Sequence, residues 1–227
     1  MNKPPPATNF TFPLFIASLI LAAPFFLACS DDPVHVSSTQ SYLVLDWPDE
    51  ESFPSQRLSV FVELGSNARR VERLSIKHGD YVWNVESPIL IQSAGRQWAG
   101  SSRLEPPQGI NGAAGVFEAG DYFVECVDAA GKSSEGTFFV AYDKSLLETL
   151  AADLPQKLPA VRERLAVYSE SNELLYYDVR NDKWYDDAMV FKGVKNSSFY
   201  RKALMSGTVV CFEPKIFKDG EKSDESE

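Results

Sequence analysis

Hydrophobic and polar residues alternate along most of the chain between residues 41 and 143. The clearest run covers residues 58–64, where Leu58, Val60, Val62 and Leu64 alternate with Ser59, Phe61 and Glu63. A period of two residues is typical of a strand with one buried face. Similar patterns predict further short strands at residues 43–47, 74–76, 81–85, 89–91, 120–127 and 137–142.

Turn-forming residues separate these segments, as expected for strands joined by short loops. Gly79-Asp80 and Ser87-Pro88 are two such breaks, and Gly131 follows the segment at residues 120–127. Glycine readily takes the left-handed conformation that a tight hairpin requires. About seven short strands in roughly 100 residues predict a mainly β fold, an antiparallel immunoglobulin-like or fibronectin-like β-sandwich.

A short motif supports this architecture by resemblance. Gly120-Asp121-Tyr122 resembles the start of the sandwich strand that holds a tyrosine corner, and residues 128–132 resemble the hairpin that follows it in many bacterial extracellular modules. In antibody domains a cysteine lies two residues after this tyrosine, whereas Val124 occupies that position here and Cys126 follows two residues later. The resemblance therefore implies the sandwich without the inter-sheet disulfide of antibodies.

The pattern changes after Asp143. Ser145 and Glu148 have the spacing of a capping box, which predicts a short helix ending before Pro155. A hairpin is predicted from residues 164–168 and 173–177, a short helix at 198–205 and a last strand at 207–212. Such a small α+β extension, residues 144–217, has few residues for a core of its own, so we expect it to pack on the sandwich.

The N-terminal residues have the layout of an export signal. No charged residue occurs from Phe10 to Leu27, Lys3 precedes this run, and Cys29 and then Ser30-Asp31-Asp32 follow it. The segment resembles the signal peptides of bacterial lipoproteins, in which a cysteine carries fatty acyl groups such as palmitate and becomes the mature N-terminus. The resemblance implies cleavage between Ala28 and Cys29 and lipid attachment at Cys29, although Phe26 stands where the family usually has leucine.

Two other interpretations of this segment remain open. At about 1.5 Å per residue the 18 apolar residues would span roughly 27 Å as a helix, close to the thickness of a bilayer core, so an uncleaved membrane anchor is one alternative. A freely secreted protein is the other. All three interpretations place the residues after Cys29 outside the cytoplasm, and the first two make membrane lipid a partner.

Composition narrows the range of other partners. The chain has a net charge of -10, which becomes -11 when residues 1–28 are removed. Such a chain is repelled by nucleic acid and by anionic headgroups, so neither is an expected partner. The sequence shows no glycine-rich phosphate loop, and no cofactor is predicted.

Aromatic residues are dense in the C-terminal part, and Tyr176, Tyr177, Trp184 and Tyr185 form the candidate surface for a protein or glycan partner. The alternative is that they fill the core of a small module. The acidic residues Asp178, Asp182, Asp186 and Asp187 surround Trp184 and offer oxygen ligands, but their spacing does not match a calcium loop, so a solvated turn is preferred.

Histidines and cysteines offer little chemistry. His35 and His78 are the only histidines and have no cysteine at zinc-ligand spacing, so neither a metal site nor a catalytic residue is predicted. Cys126 and Cys211 both fall in predicted strands of an exported protein. They are either joined in a disulfide across an 84-residue interval or buried as free thiols.

The sequence therefore predicts a signal peptide (1–28), a lipidated N-terminus and spacer (29–40), the sandwich (41–143), the α+β extension (144–217) and a disordered acidic tail (218–227). The expected protein is a non-catalytic lipoprotein of the bacterial cell envelope with a binding or structural role. An envelope enzyme or carbohydrate-binding accessory that uses residues 168–200 is the alternative function.

Overall fold

The structure, a computed structural model, describes residues 34–65, 71–108, 115–158 and 161–218. The chain divides into two units, residues 1–33 and a compact unit of residues 34–227. The predicted signal peptide, with Ala28 and Cys29, lies outside the described residues, as do residues 219–227 of the predicted tail. Within the described ranges no helix is long and apolar enough to cross a bilayer.

Eight strands build the first part of the compact unit. They are β1 (Val36–Asp46), β2 (Ser55–Leu64), β3 (Val71–His78), β4 (Tyr81–Val85), β5 (Ile89–Ser93), β6 (Arg96–Leu104), β7 (Gly120–Asp128) and β8 (Ser133–Val140). One sheet contains the order β1-β2-β6-β5, and the other has the order β4-β3-β7-β8. The first order matches the ABED sheet of an immunoglobulin-like sandwich, and β3-β7-β8 matches its CFG sheet with β4 as an added edge strand. The predicted fold class is therefore confirmed.

The two sheets pack through the residues that the alternating pattern places inward. Leu58, Val60 and Val62 of β2 are fully buried, as are Leu74 of β3 and Val124 of β7. These side chains belong to one hydrophobic cluster. Each such side chain contributes roughly 1.5–3 kcal/mol when it is removed from water, so this cluster is the main source of stability.

A tyrosine corner lies at the start of β7 in the smaller sheet. Tyr122 is fully buried, and its hydroxyl donates a hydrogen bond of 2.9 Å to the carbonyl oxygen of Glu118. Its ring stacks on Phe138 at a centroid distance of 5.2 Å and on His78 at 4.1 Å. The contact predicted from Gly120-x-Tyr122 is thus present.

The C-terminal extension continues the larger sheet. Its strands are β9 (Arg162–Tyr168), β10 (Leu174–Asp178), β11 (Phe199–Ser206), β12 (Val209–Phe212) and β13 (Ile216–Phe217). Strand β12 pairs in parallel with β1, and β11, β9 and β10 follow in that order, while β13 pairs with β11. Among the residues that the structure describes, the larger sheet therefore has nine strands, and the extension packs on the sandwich by sharing a sheet with it.

In the described part of the second half of the compact unit there are two short α-helices, α1 (Leu154–Lys157) and α2 (Asp187–Gly193). The side chain of Asp186 caps α2 by accepting a hydrogen bond of 2.8 Å from the backbone N–H of Met189. Val190 and Phe191 of α2 are buried against Leu165 and Tyr200 of the sheet. These contacts form a second, smaller core under the extension.

Some predicted elements are wrong. Residues 198–205 do not form a helix. All of them except Ser198 belong to β11, which is buried on both faces between β9 and β12, so its period of two is hidden. The turn at Lys144–Glu148 is a 3-10 helix, capped by Asp143 and not by Ser145. Strand β1 begins at Val36, within the segment predicted as a spacer, because Val36 is buried and pairs with Leu64.

Candidate functional site

The outer face of the larger sheet carries aromatic residues. Tyr42, Phe61 and Trp98 lie on β1, β2 and β6 at positions that alternate with the inward residues Leu43, Val60 and Ala99. The strand register places Gln40 beside Phe61, Tyr42 beside Ser59, and Ile91 beside Trp98. Residues directly opposite each other share a face of the sheet, so these side chains are neighbours on the outer side.

These side chains line a groove of about 580 Å3, which we call the outer-face groove. Its lining residues are Gln40, Tyr42, Ser59, Phe61, Ile91, Ser93, Ala94, Arg96 and Trp98. The volume falls within the roughly 300–1,000 Å3 typical of small-molecule sites. The lining mixes aromatic and aliphatic surface with hydroxyl, amide and guanidinium groups.

A glycine positions the phenylalanine of the groove. Gly100 of β6 pairs with Phe61 of β2, and a Cβ atom built at Gly100 would lie 2.5 Å from Cδ1 of Phe61. The same Cβ atom would collide even more closely with the backbone carbonyl oxygen of Val60, so a real side chain would disturb both the β2–β6 pairing and the phenyl ring. The ring of Phe61 therefore lies directly over the backbone of β6, where only glycine leaves room for it.

The tip of the β5–β6 hairpin forms one end of the groove. Ser93 pairs with Arg96, so Ala94 and Gly95 are the two turn residues, with φ values of 50° and 76°. Positive φ at both positions is the type I′ geometry, for which Asn-Gly is preferred because asparagine tolerates the left-handed region. Alanine in this conformation is strained by about 1 kcal/mol.

The charged residue of the groove has an acidic partner. A guanidinium nitrogen of Arg96 lies 3.5 Å from a carboxylate oxygen of Glu63, and the hydroxyl of Ser38 donates to the same oxygen at 2.8 Å. The positive charge in the groove is therefore largely balanced. Both side chains of the pair are partly open to solvent, so it adds little to stability.

Other polar groups of the groove are free to bind a ligand. Among the residues that the structure describes, no hydrogen bond engages the side chains of Gln40, Tyr42, Ser59, Ser93 or Trp98. Two other indoles differ in this respect. The Nε1–H groups of Trp47 and Trp83 each donate to a backbone carbonyl oxygen at 2.9 Å.

The aromatic surface predicted from the sequence is partly a packing feature. The rings of Tyr176 and Trp184 meet edge to face at 5.0 Å, and both pack on the core under α2. The hydroxyl of Tyr176 donates to the carbonyl oxygen of Val179 at 2.6 Å. A Cβ atom at Gly193 would collide with the indole of Trp184, so this ring is closely packed against α2.

The other two residues of that predicted surface are exposed. The side chain of Tyr185 is 75% exposed and that of Tyr177 is 40% exposed. The guanidinium carbon of Arg164 lies 5.7 Å from the centre of the Tyr177 ring. Partial burial and then the nearby Tyr42 phenol raise the pKa of Tyr177, against the opposing effect of Arg164. The hydroxyl of Tyr177 lies 3.6 Å from the sulfur of Met205, and Met205 and Tyr42 pack on the same small hydrophobic cluster, so Tyr177 belongs to the same outer face as Tyr42.

Three of the four acidic residues around Trp184 have structural partners, and the fourth, Asp182, is exposed. Asp178 forms an ion pair of 3.1 Å with Arg164, and Asp186 caps α2. The carboxylate of Asp187 accepts a hydrogen bond of 2.6 Å from the hydroxyl of Tyr200 and lies 3.7 Å from Arg180. Burial first and this carboxylate second raise the pKa of Tyr200. No cluster of metal-ligating side chains occurs among the described residues.

The two cysteines are free thiols in the structure, so the pairing considered from the sequence is not formed. Cys126 lies on β7 of the smaller sheet, and Cys211 lies on β12 of the larger one; both are fully buried. Burial, with a smaller contribution from Asp128, raises the pKa of Cys126 to about 11. Burial raises the pKa of Cys211 to about 12, so both thiols are protonated at neutral pH.

His78 is held by the sandwich, because its ring stacks on Tyr122 and its Nδ1 lies 2.9 Å from the carbonyl oxygen of Asp121.

From the sequence alone, no site is predicted at any of the groove residues. The signal that could have found them is the presence of Phe61 among the polar, outward positions of β2.

The chain matches no protein-family model, no curated protein and no solved structure at a significant level.

Proposed function

We propose that this protein is a bacterial cell-envelope lipoprotein, attached to a membrane through Cys29, whose sandwich acts as a non-catalytic binding or structural module. One observation carries the proposal: an uncharged run at residues 10–27 ends in Ala28-Cys29 and is followed by Ser30-Asp31-Asp32. The net charge of -10 opposes a role with nucleic acid.

The position of the folded unit in the sequence is compatible with direct attachment. Val34 is the fifth residue after Cys29, and its side chain is 1% exposed within the main hydrophobic cluster. A five-residue segment spans at most about 18 Å when fully extended. The mature protein would then be held near the membrane surface by a very short segment. Several acyl chains make such attachment durable, because a single chain binds only marginally.

The roles of the candidate reactive groups favour binding over catalysis. The thiols of Cys126 and Cys211 are desolvated, and the ring of His78 is stacked within the sandwich. In the segment 168–200, which the alternative of an enzyme or a carbohydrate-binding accessory would use, Asp186 caps a helix and Asp187 accepts a hydrogen bond from Tyr200. The outer-face groove offers a binding surface that requires none of these groups.

The anchor is tested by expressing the full chain in a bacterial host and measuring its intact mass. A mature chain that begins at Cys29 and carries added acyl mass is the expected result. Retention of residues 1–28 would contradict lipidation and support the uncleaved anchor, and a cleaved chain without acyl mass would contradict both. Cys29→Ser should abolish processing, whereas the matched variant Ser30→Ala should be processed as the wild type is.

A further inference from the structure

We propose that the outer-face groove is a binding site for a neutral oligosaccharide. The inference deepens the proposed binding role by naming its ligand class and site, and it does not depend on whether Cys29 is acylated. It rests on the shape of the groove, on its aromatic rings, on its free polar groups and on the balance of its charge.

The aromatic side chains fit the apolar faces of sugar rings. Tyr42, Phe61 and Trp98 are each partly buried in the groove, on three neighbouring strands. Strands lie about 4.8 Å apart, so three strands span roughly 10 Å and offer room for more than one sugar ring. The negative face of an aromatic ring attracts the polarised C–H groups on one side of a pyranose.

The polar side chains fit the hydroxyl groups at the rim of such a ligand. Gln40 offers an amide, Ser59 and Ser93 offer hydroxyls, and Trp98 offers an N–H group, all lining one groove. Hydroxyls and amides both donate and accept, which matches the mixed character of sugar hydroxyls. A purely apolar ligand would leave these groups without partners when it displaced their water, at a cost in affinity.

Charge favours a neutral ligand. The groove's charged side chain, Arg96, pairs with Glu63 at 3.5 Å. An anionic polysaccharide would compete with Glu63 for Arg96 and would meet the negative field of a protein with a net charge of -10. A neutral saccharide meets neither penalty and still gains hydrogen bonds from the guanidinium group.

The strained turn at the end of the groove is consistent with a binding role. Ala94 lines the groove at a φ of 50°, where asparagine would be less strained. Strained backbone is frequently found at functional sites, where another requirement outweighs local stability. A small side chain at this position leaves the end of the groove open to a chain-like ligand.

The proposal is tested by isothermal titration calorimetry of the purified full chain in a detergent without a sugar headgroup. The probes are the hexasaccharides of cellulose, chitin, starch and xylan, with a hexamer of galacturonic acid as the anionic comparison. We expect at least one neutral probe to bind and the anionic one to bind more weakly. Absence of neutral binding at millimolar concentration, or preferential binding of the anionic probe, would overturn the proposal.

Variants locate the site. Trp98→Ala should weaken binding by at least about tenfold, as removal of a central aromatic contact does. Gln40→Ala, a change at an exposed position, should weaken it several-fold and provides a second test that does not threaten folding. Phe123→Ala is the matched control, because Phe123 is 57% exposed on the smaller sheet. Equal binding by Trp98→Ala, Gln40→Ala and Phe123→Ala would contradict the assignment.

The lipoprotein proposal and the saccharide-binding proposal can be contradicted independently of each other. The Cys29→Ser variant lacks the acyl site and should bind the same saccharide with unchanged affinity. Loss of acylation with retained binding would contradict the lipoprotein and leave the groove assignment standing. Acylation without saccharide binding would contradict the groove assignment alone.

Discussion

At the scale of single residues, burial decides the chemistry of the thiols. Cys211 lies between Leu45 and Leu204 in the sheet, and Cys126 lies between Leu74 and Ser134. The raised pKa values of both thiols have desolvation as their largest cause. A thiolate is the form that reacts, so these cysteines behave as small hydrophobic residues.

The raised pKa values of the two thiols should make the stability of the fold depend on pH. The ordinary thiol pKa is 9.0, and the folded protein raises it to about 11 for Cys126 and to about 12 for Cys211. Between pH 9 and pH 12 the unfolded state therefore loses protons that the folded state keeps. The free energy of unfolding should decrease as the pH rises through this range. Urea titrations at pH 8, 9 and 10 measure it.

Thiol labelling provides an independent measurement of this effect. The native protein should not react with a thiol reagent at pH 8, and two cysteines should react after unfolding of the Cys29→Ser variant. Substitution of Cys211 by alanine should reduce the pH dependence of stability above pH 9. Rapid labelling of either cysteine in the native state would contradict the burial on which the prediction rests.

At the scale of elements, the β5–β6 hairpin has a turn that sequence preference would not choose. Ala94 and Gly95 both have positive φ. We predict that Ala94→Asn raises the free energy of unfolding by about 0.5–1 kcal/mol, because asparagine tolerates the left-handed conformation. Thermal and urea denaturation measure the change. The same variant should weaken saccharide binding, because its larger side chain narrows the groove.

The matched control for this prediction lies in another hairpin. Asn172 in the turn between β9 and β10 already occupies the left-handed region, with φ of 60°. Asn172→Ala should lower the free energy of unfolding by a similar amount. If Ala94→Asn were destabilising while Asn172→Ala behaved as expected, the strain assigned to Ala94 would be wrong.

Elements also show where sequence patterns carry structural information. Strand β2 is predictable because one face is buried and the other is open, so its residues alternate. The sequence pattern does not predict strand β6, because the residues at its centre, Ala99-Gly100-Ser101, are all small. Hydrophobic and polar positions therefore do not alternate clearly there. Strand β11 is mistaken for a helix because burial on both faces removes the alternation. For both β6 and β11, tertiary packing and not the local sequence pattern determines that the segment forms a strand.

The outer-face groove shows a similar limit of prediction from sequence patterns. Alternation places Phe61 on the outer face of β2, which the sequence shows directly. Its neighbours Tyr42 and Trp98 come from β1 and from β6, the strand that the pattern does not reveal. Only the order β1-β2-β6-β5 brings these rings together. A site built from several strands of a sheet is visible in the sequence only after their pairing is known.

At the scale of the whole molecule, a buried arginine reinforces the junction between the sandwich and its extension. Arg201 of β11 is 8% exposed, and its guanidinium group forms an ion pair of 2.6 Å with Asp46 at the end of β1. It also donates to the carbonyl oxygens of Trp47 at 2.8 Å, Glu213 at 2.7 Å and Phe212 at 3.2 Å. These bonds connect β11 to the ends of both strands of the parallel β1–β12 pair.

Because one sheet runs through both parts, residues 34–218 should unfold in a single cooperative step. We predict that Arg201→Met lowers the free energy of unfolding by about 3 kcal/mol, since it leaves Asp46 and three carbonyl oxygens without this partner. Urea denaturation followed by tryptophan fluorescence and by circular dichroism measures the loss. The midpoints of the two signals should coincide in the wild type and separate in the variant if the extension loosens first.

Arg164→Met is the matched control for Arg201→Met. Arg164 lies on the neighbouring strand β9, and its ion pair with Asp178 at 3.1 Å is open to solvent, with side-chain exposures of 36% and 65%. Its loss should cost under about 1 kcal/mol and leave the two midpoints together. Equal effects of the two substitutions would show that the buried ion pair does not couple the extension to the sandwich. The continuous backbone pairing of β1 with β12 would then be sufficient for cooperative unfolding.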